Sequence, residues 1–421
     1  MRDPASDPIV VIGNGMAGLR LLQDLREAEG SGEHSPVVAI GAEPMEAYNR
    51  VRLSSLLSGE SEYKDIALVN RRWYDEQDIE LQIGVRVLEI DRKRKRLRLS
   101  TGQKMPYRKL VLAAGSEPIH LKMPGSDLQG VKTFRDLADV RDLKALAKTG
   151  KRAVVIGGGL LGLEAAHGLA LLGMEVTVVH LMDRLMERQL DPSASYFLLR
   201  DFRRRNIDVL LNTQTERLLG KVRVEGVEFR DGSHVECDVV VMAVGIRPNV
   251  ALGKSAGLSI ERGIVVDDTL RSSDPDIYAI GECAEHRGQV YGLVAPLYEQ
   301  AKVCARAVLG LDTVPYTGSV VHTSLKVGGM NVFSAGDYLG LPGTEDITLA
   351  DPSYPFYKKL VLQKGPDGVT RLVGAVLFGE TVDAPWYLQL INEKTPIDAF
   401  RRDMIFAREL AEPPSVTVQA A

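Results

Sequence analysis

Two glycine-rich turns are the first features of this sequence that could do chemistry. They share one spacing and consist of Gly13, Gly15 and Gly18 in one copy and Gly157, Gly159 and Gly162 in the other. Glycines spaced in this way let a strand turn sharply into a helix, leave room for a pyrophosphate and let the helix pack on the strand. The helix start offers free N–H groups and a positive dipole end to the phosphates. The sequence therefore predicts two dinucleotide-binding turns, in which we include the residues that open each helix: Met16, Ala17, Leu160 and Leu161.

Each turn lies inside a strand–helix–strand pattern. Apolar runs at 9–12 and 153–156 precede the turns, helical patterns at 19–28 and 163–172 follow them, and further apolar runs come at 37–40 and 176–179. One turn alone is weak evidence, because glycine-rich turns are common. Two copies in the same context favour a pair of parallel βαβ units over two ordinary tight turns.

The end of the second strand normally carries an acid that binds a ribose hydroxyl. Glu43 has this position in the first unit, whereas His180 has it in the second, with Arg184 close by. A histidine does not repel a 2′-phosphate as a carboxylate does, so NADH and NADPH both stay open as the second dinucleotide. An alternative is that His180 is a surface residue at a strand end.

Composition narrows the class of protein. The chain has 421 residues, 45% hydrophobic and 26% charged, with a net charge of −4, as in an ordinary globular protein of about two or three domains. This balance gives no reason to propose a nucleic acid partner. No apolar stretch approaches the ~20 residues that span a bilayer, and the 3 cysteines form no C-x-x-C pair. We therefore expect no membrane partner and a reducing cytoplasm as the location.

The remaining pattern predicts an α/β fold with three domains. Further apolar strands are expected at 110–114, 239–244 and 277–280, a helix at 296–309, antiparallel strands at 325–333 and 372–378, and helices at 384–391 and 398–410. We expect the second Rossmann-like domain (116–245) to be inserted into the first (1–115 and 246–315), followed by a C-terminal α+β interface domain (316–421). Residues 413–421 are expected to be a frayed tail.

Two further segments carry a resemblance to a known family. Residues 107–116 (YRKLVLAAGS) and 277–284 (IYAIGECA) resemble motifs of the FAD- and NAD(P)H-dependent pyridine nucleotide-disulphide oxidoreductases. The resemblance covers nearly the whole chain. It implies FAD in the first unit and NADH or NADPH in the second, with cofactor contacts at Ala114, Gly115 and Gly245. Glu282, where the family commonly has Asp, would bind the ribityl chain of FAD.

Within the family, the closest similarity is to the FAD-containing part of assimilatory nitrite reductases and to electron-transfer subunits of nitrate reductases. It is carried by residues 12–16, 48–55, 157–164 and 291–296. Those nitrite reductases continue into iron–sulfur and sirohaem domains, whereas this sequence has no cysteine cluster. We therefore expect it to pass electrons to a separate one-electron acceptor, which would be a nitrate or nitrite reductase component, a rubredoxin or a ferredoxin. A homodimer is a further expectation.

The resemblance also implies roles for single residues. They are Arg50 near the FAD phosphates, Arg135 as a further phosphate contact, Val87 at the adenine through its backbone, and Val294 and Pro296 at the pyrimidine end of the flavin. Pro296 is expected to be the first residue of its helix. Glu164 would lie beside the nicotinamide and the flavin, and Lys326 near the flavin. The alternatives are a surface arginine for Arg50, a helix-dipole contact for Glu164 and an exposed strand lysine for Lys326.

The cysteine positions exclude several reactions of the family. Residues 53–58 (LSSLLS) contain no cysteine where peroxidases and water-forming oxidases of the family have one, and Cys283 is expected to be a small buried residue. The remaining chemistry is hydride transfer from the nicotinamide to the flavin, followed by release of single electrons from the flavin. The alternatives are a rubredoxin or ferredoxin reductase of another pathway, a flavin-binding sensor with negligible turnover, and an NADH oxidase, which the missing cysteine disfavours.

A basic ribbon runs from Arg92 to Arg98 (RKRKRLR). Its alternation predicts an exposed edge strand, where charge discourages aggregation. The alternative is a docking surface for an acidic redox protein.

Overall fold

The computed structural model describes residues 7–32, 34–320, 322–327, 329–351 and 353–411, without the side chains of 325–327. The chain forms two compact units. One comprises Met1–Ile119 and Ile246–Ser319, and the other comprises His120–Gly245 and Val320–Ala421. The three-domain division stays a prediction, and the frayed tail at 413–421 lies outside the described residues.

The elements follow in chain order through four segments. Residues 7–119 contain β1 (Ile9–Ile12), α1 (Met16–Glu29), β2 (Val37–Gly41), α2 (Leu53–Ser58), α3 (Tyr63–Ile66), α4 (Arg71–Glu76), β3 (Ile79–Ile83), β4 (Val87–Asp91), β5 (Arg96–Leu99), β6 (Lys104–Pro106), β7 (Lys109–Leu112) and β8 (Ser116–Pro118). Residues 120–245 contain β9 (Val131–Thr133), α5 (Leu137–Ala147), β10 (Arg152–Ile156), α6 (Leu160–Leu171), β11 (Glu175–Val179), α7 (Pro192–Arg204), β12 (Ile207–Leu210), β13 (Thr215–Gly220), β14 (Val224–Phe229), β15 (His234–Glu236) and β16 (Val239–Met242).

The last two segments return to each unit in turn. Residues 246–319 contain β17 (Ile246–Pro248), α8 (Ala251–Ser255), β18 (Ile264–Val266), β19 (Ile277–Ala279), β20 (Ala284–His286) and α9 (Val294–Val308). Residues 320–411 contain β21 (His322–Val327), β22 (Met330–Gly336), β23 (Thr344–Asp351), β24 (Phe356–Lys364), β25 (Thr370–Phe378), α10 (Ala384–Glu393) and α11 (Arg408–Ala411).

Each unit is built on a five-stranded parallel sheet, and four of the five strands have the same order in both. The orders are β19-β7-β1-β2-β3 and β12-β11-β10-β16-β9. All residues of the central β1 are buried, as are nearly all of β10, because helices cover both faces of a parallel sheet and its strands read as continuous apolar runs. This explains why the apolar runs were good predictors of these strands. The predicted duplication is confirmed.

The C-terminal part of the second unit is an antiparallel sheet of order β21-β22-β25-β24-β23 that packs on α10. The strand predicted at 325–333 is in fact two strands, which turn back at Gly329 with a φ of +84°. The helix predicted at 398–410 is wrong, since only α11 (Arg408–Ala411) is helical there. The N–H of Ile397 instead donates to the carbonyl of Thr370, whose own N–H donates to Asp398, both at 3.0 Å. These bonds tie the start of the segment to β25, and residues 398–406 form turns rather than a helix.

No helix in the described part of the chain combines the length and apolar character needed to cross a bilayer.

Candidate functional site

The first glycine turn has the geometry that its spacing predicts. Gly13 follows β1 with a φ of +116°, and a Cβ there would lie 2.0 Å from the carbonyl oxygen of Ala113. A Cβ on Gly18 would lie 1.9 Å from the carbonyl oxygen of Gly13, whereas one on Gly15 would meet no described atom within 4 Å. Gly13 and Gly18 are therefore required by the fold itself. The space at Gly15 is open, as the approach of a pyrophosphate requires.

The helix that follows this turn is free to receive an anion. Met16 and Ala17 open α1, and Gly15 precedes it as the N-cap. Within the described chain, no side chain caps this end and no acid lies in its first turn. The first N–H groups and the positive dipole end therefore remain available to phosphate oxygens.

Asn14, which sequence reasoning missed, adds a polar group to the same turn. Its Oδ1 accepts a hydrogen bond from the Tyr74 hydroxyl at 2.9 Å, and Tyr74 is fully buried. Its Nδ2 is buried and meets no acceptor among the described residues. A buried amide donor without a partner suits a phosphate oxygen, so the residues present fit the FAD that the resemblance implies.

Glu43 and Arg50 lie together beyond the end of β2. Tyr48 donates its hydroxyl to Glu43 at 2.7 Å, and Arg50 forms an ion pair with the same carboxylate. The Arg50 guanidinium also lies 5.2 Å from the centre of the Tyr48 ring. The carboxylate is thus held beyond the strand end where the sequence pattern predicts a ribose-binding acid. Contact of Arg50 with the FAD phosphates stays a prediction.

Ala114, Gly115 and Glu282 follow the neighbouring strands β7 and β19. Gly115 has a φ of +64°, and the Ser116 hydroxyl donates to Glu282 at 2.7 Å. Parallel strands bind ligands at their carboxyl ends, and the ends of β1, β2, β7 and β19 bring Gly13, Glu43, Gly115 and Glu282 to one edge. Four predicted residues of the first unit (Glu43, Ala114, Gly115 and Glu282) therefore share an edge of the sheet with the open glycine turn.

Helix α9 begins at Val294 rather than at Pro296. Pro296 is its third residue, so its prediction as the first residue is wrong. The first four N–H groups of a helix have no intrahelical partner, so a proline fits anywhere in the first turn. Val87 opens β4 with a buried side chain, and its contact with the adenine stays a prediction.

The second unit repeats the glycine geometry. Gly157 has a φ of +123°, and its Cβ would lie 2.3 Å from the carbonyl oxygen of Ala243, while a Cβ on Gly162 would lie 2.0 Å from that of Gly157. A Cβ on Gly159 would meet no described atom within 4 Å. Leu160 and Leu161 open α6, whose first turn has neither a side-chain cap nor an acid in the described structure. This unit therefore contains a second open turn with the geometry expected for a dinucleotide pyrophosphate.

His180 is buried directly after β11, so the interpretation of it as a surface residue is wrong. Its Nδ1 accepts the N–H of Gly158 at 3.0 Å, and its Nε2 lies 3.1 Å from Glu187. The ring therefore links the phosphate-binding turn to a carboxylate later in the chain.

Glu164 lies on α6 just beyond its first turn and is 6% exposed. Burial raises the pKa of this carboxyl to about 8. The first turn of α6 contains no acid, so the interpretation of Glu164 as a first-turn acid in contact with the helix dipole is wrong. No ion-pair partner of Glu164 lies among the described residues, and an acid of this kind is neutral at pH 7.

The roles of three further predicted residues also stay predictions. Arg135 belongs to the second unit, where its N–H donates to Asp139 at 2.7 Å. Gly245 ends the 120–245 segment with a φ of +124°. Lys326 is on β21, but its side chain lies outside the described residues.

The cysteines do not supply a nucleophile to either turn. Cys237, Cys283 and Cys304 are free and buried, which confirms the prediction for Cys283. Burial raises the pKa of Cys283 to about 11 and that of Cys237 to about 12. Thiols of this kind are protonated and inert at neutral pH.

The basic ribbon is not an edge strand, because β5 is the central strand of the sheet β4-β5-β6. Its alternation is confirmed, since Leu97 and Leu99 are buried and the arginines beside them are exposed. Arg92, Lys95 and Arg98 form ion pairs with Asp274, Asp276 and Glu89. The unit's own acids therefore balance much of the ribbon's charge.

The family model described as pyridine nucleotide-disulphide oxidoreductase matches residues 7–307. The chain belongs to this family. Proteins of this family are oxidoreductases that use FAD and NAD(P)H. A second model, the C-terminal domain of rubredoxin NAD+ reductase, matches residues 322–395.

Relatives and solved structures agree with the family assignment. The chain is 45% identical over 92% of its length to a nitrite reductase [NAD(P)H] of Bacillus subtilis, and 39% identical over 94% to an assimilatory nitrate reductase electron transfer subunit of that organism. It spans about half of these relatives, 48% and 51% of their lengths. A ferredoxin reductase structure from Rhodopseudomonas palustris matches with a TM-score of 0.83 and 28% identity, covering 93% of this chain and 96% of that one.

Proposed function

We propose that this chain is an FAD-dependent NAD(P)H reductase that delivers single electrons to a separate redox protein of nitrate or nitrite assimilation. The observation that carries the proposal is the pair of open positions at Gly15 and Gly159, each followed by an uncapped helix in the described structure. Two such turns suit one resident and one diffusible dinucleotide.

The residues of the first unit would bind and orient FAD, which supplies hydride acceptance and one-electron release when bound. The turn at Gly15 and the Nδ2 of Asn14 would hold the pyrophosphate, Glu43 the adenosine ribose and Glu282 the ribityl hydroxyls. The start of α9 would face the pyrimidine end of the flavin, where its positive dipole end favours negative charge.

Residues of the second unit would hold the electron donor. The turn at Gly159 would bind the NAD(P)H pyrophosphate, and Glu164 would lie beside the nicotinamide. Because the Glu164 carboxyl is neutral near pH 7, it would add no negative charge there and would be able to hold or release a proton. Lys326 is proposed near the flavin, where a cation stabilises negative charge.

The choice of acceptor rests on similarity to proteins that are named for nitrite and nitrate reduction. A rubredoxin or ferredoxin reductase of another pathway is the second candidate, favoured by the rubredoxin reductase model at 322–395 and the ferredoxin reductase structure. We keep the cytoplasm as the location because all three cysteines are free thiols. A homodimer stays a prediction.

Anaerobic mixing of the purified yellow protein with NADH and then with ferricyanide tests the reductase. We expect the flavin to bleach and then to recover. If neither NADH nor NADPH bleaches the flavin, electron transfer is contradicted and a sensor is favoured. Rapid oxygen consumption would favour an oxidase. Comparing purified nitrite reductase, rubredoxin and ferredoxin as acceptors would then decide between the two candidates.

A further inference from the structure

The phosphate-binding turn of the second unit is held from both sides at Gly158. Its N–H donates to Nδ1 of His180 at 3.0 Å, and its carbonyl oxygen accepts the N–H of Met186, also at 3.0 Å. A Cβ on Gly158 would lie 2.7 Å from the His180 ring and 2.7 Å from Leu185. The segment after β11 thus folds back against the turn and brings residues 185–187 to it.

These contacts determine which nitrogen of the His180 ring donates a hydrogen bond and which accepts one. Nδ1 accepts a hydrogen bond, so it carries no proton, and the single ring proton is on Nε2. That proton points to Oε2 of Glu187 at 3.1 Å. His180 therefore presents its Nε2–H to the Glu187 carboxylate.

The position of this pair matters for the second dinucleotide. His180 directly follows β11, where the side chain that meets the adenosine ribose is expected. Since both nitrogens of its ring already have partners, the ring has no acceptor left for a ribose hydroxyl. The Glu187 side chain is 22% exposed, so its carboxylate is held by His180 and still reaches solvent.

We infer that Glu187, held by His180, is the carboxylate that accepts the adenosine ribose hydroxyls and makes this chain prefer NADH to NADPH. The inference rests on the proposed function, because it assigns the donor of the same site. A carboxylate is a good acceptor for the 2′- and 3′-hydroxyls of NADH and repels the 2′-phosphate of NADPH.

Two arginines of the same segment are the competing candidates. Arg184 has its guanidinium on Asp183, with Nη1 at 3.1 Å from Oδ1. Arg188 is largely exposed, and its Nε lies 3.9 Å from Glu187. A 2′-phosphate bound by Arg184 would give the opposite preference, and this is an outcome of the test.

The test compares NADH with NADPH in the wild type and in Glu187→Gln. Glutamine can still accept the Nε2–H of His180, so the turn keeps its contact while the charge is lost. We expect the wild type to prefer NADH at least tenfold in kcat/KM, and Glu187→Gln to reduce that ratio about tenfold, as for loss of one close charge. Glu187→Arg is expected to reverse the preference. Glu175→Gln removes an equal charge at the exposed start of β11 and should leave the ratio within twofold.

Calorimetric titration of the oxidised protein with NAD+ and NADP+ separates this inference from the proposed function. If NAD+ binds tightly to the wild type and more weakly to Glu187→Gln, the ribose assignment is supported. If NADH does not reduce the flavin of the same protein, the reductase is contradicted. A wild type that prefers NADPH, or a Glu187→Gln variant with an unchanged ratio, would overturn the assignment and leave the reductase standing. Arg184→Gln that weakens only NADP+ would identify Arg184 as the phosphate ligand and would also overturn it.

Discussion

The hydroxyl of Tyr74 donates to Oδ1 of Asn14 at 2.9 Å, across 60 residues of sequence. This contact orients the Asn14 amide so that Nδ2 remains for a ligand of the glycine turn. Tyr74→Phe removes only the hydroxyl and frees the amide to rotate. We expect the dissociation constant of FAD to rise about threefold to tenfold, the cost of one hydrogen bond, as measured by flavin fluorescence.

Tyr196→Phe is the matched control for that change, since Tyr196 is 57% exposed in the other unit. It should leave FAD affinity unaltered. Equal FAD affinity in Tyr74→Phe and the wild type would mean that Asn14 does not contact the cofactor.

The ion pair between Arg92 and Asp274, 2.6 Å long, gives the basic ribbon a structural role. Arg92 also donates to the carbonyls of Ala256 and Gly257. Arg92→Ala is expected to lower the free energy of unfolding by about 1–3 kcal/mol, because it removes the ion pair of the partly buried Asp274 carboxylate together with two hydrogen bonds. Denaturant titration measures this difference.

Arg94→Ala is the control within the same ribbon. Its side chain is 77% exposed, and exposed ion pairs contribute only ~0–1 kcal/mol. A larger loss in Arg94→Ala than in Arg92→Ala would contradict the structural role of Arg92. A steep salt dependence of turnover that Arg94→Glu abolishes would instead support the docking surface.

The sequence predicted those parts of the structure that are determined by residues close together in the chain. The turns at Gly13 and Gly157 follow from backbone that only glycine adopts easily, and the apolar runs follow from burial on both faces of a parallel sheet. The contacts of Asn14 with Tyr74 and of His180 with Glu187 join residues whose types were visible but whose proximity depends on how loops return to the turn. The helix predicted at 398–410 failed for the same reason, since Ile397 and Asp398 pair with Thr370 on a strand.

Glu164 makes the stability of the second unit depend on pH. Its pKa is raised from 4.5 to about 8 in the folded protein, so folding takes up a proton between these values. The stability that this proton provides is fully present below about pH 4.5 and is lost as the pH rises through about 8. The free energy of unfolding should fall by up to about 1.4 kcal/mol per pH unit in that window because of this group.

Glu164→Gln should remove this pH-dependent part of the free energy of unfolding, since glutamine does not titrate. Unfolding of both proteins by denaturant at pH 5, 7 and 9 measures it, and the variant should gain relative stability as the pH rises. The rate of flavin reduction by NADH should also lose a transition near pH 8. Parallel pH profiles of the two proteins would show that Glu164 is ionised in the fold.

The central claim is that each unit has its own dinucleotide turn, and paired alanine substitutions at Gly15 and Gly159 test it most directly. Both positions have negative φ and room for a methyl group, with N-cap φ values of −93° and −84°, so both variants should fold. The measurement is the flavin absorbance of each purified variant before and after anaerobic addition of NADH. We predict that Gly15→Ala weakens FAD binding at least tenfold, and that Gly159→Ala stays yellow but needs at least tenfold more NADH to bleach. A Gly159→Ala variant that loses its flavin, or a Gly15→Ala variant that keeps it at wild-type affinity, would contradict the account.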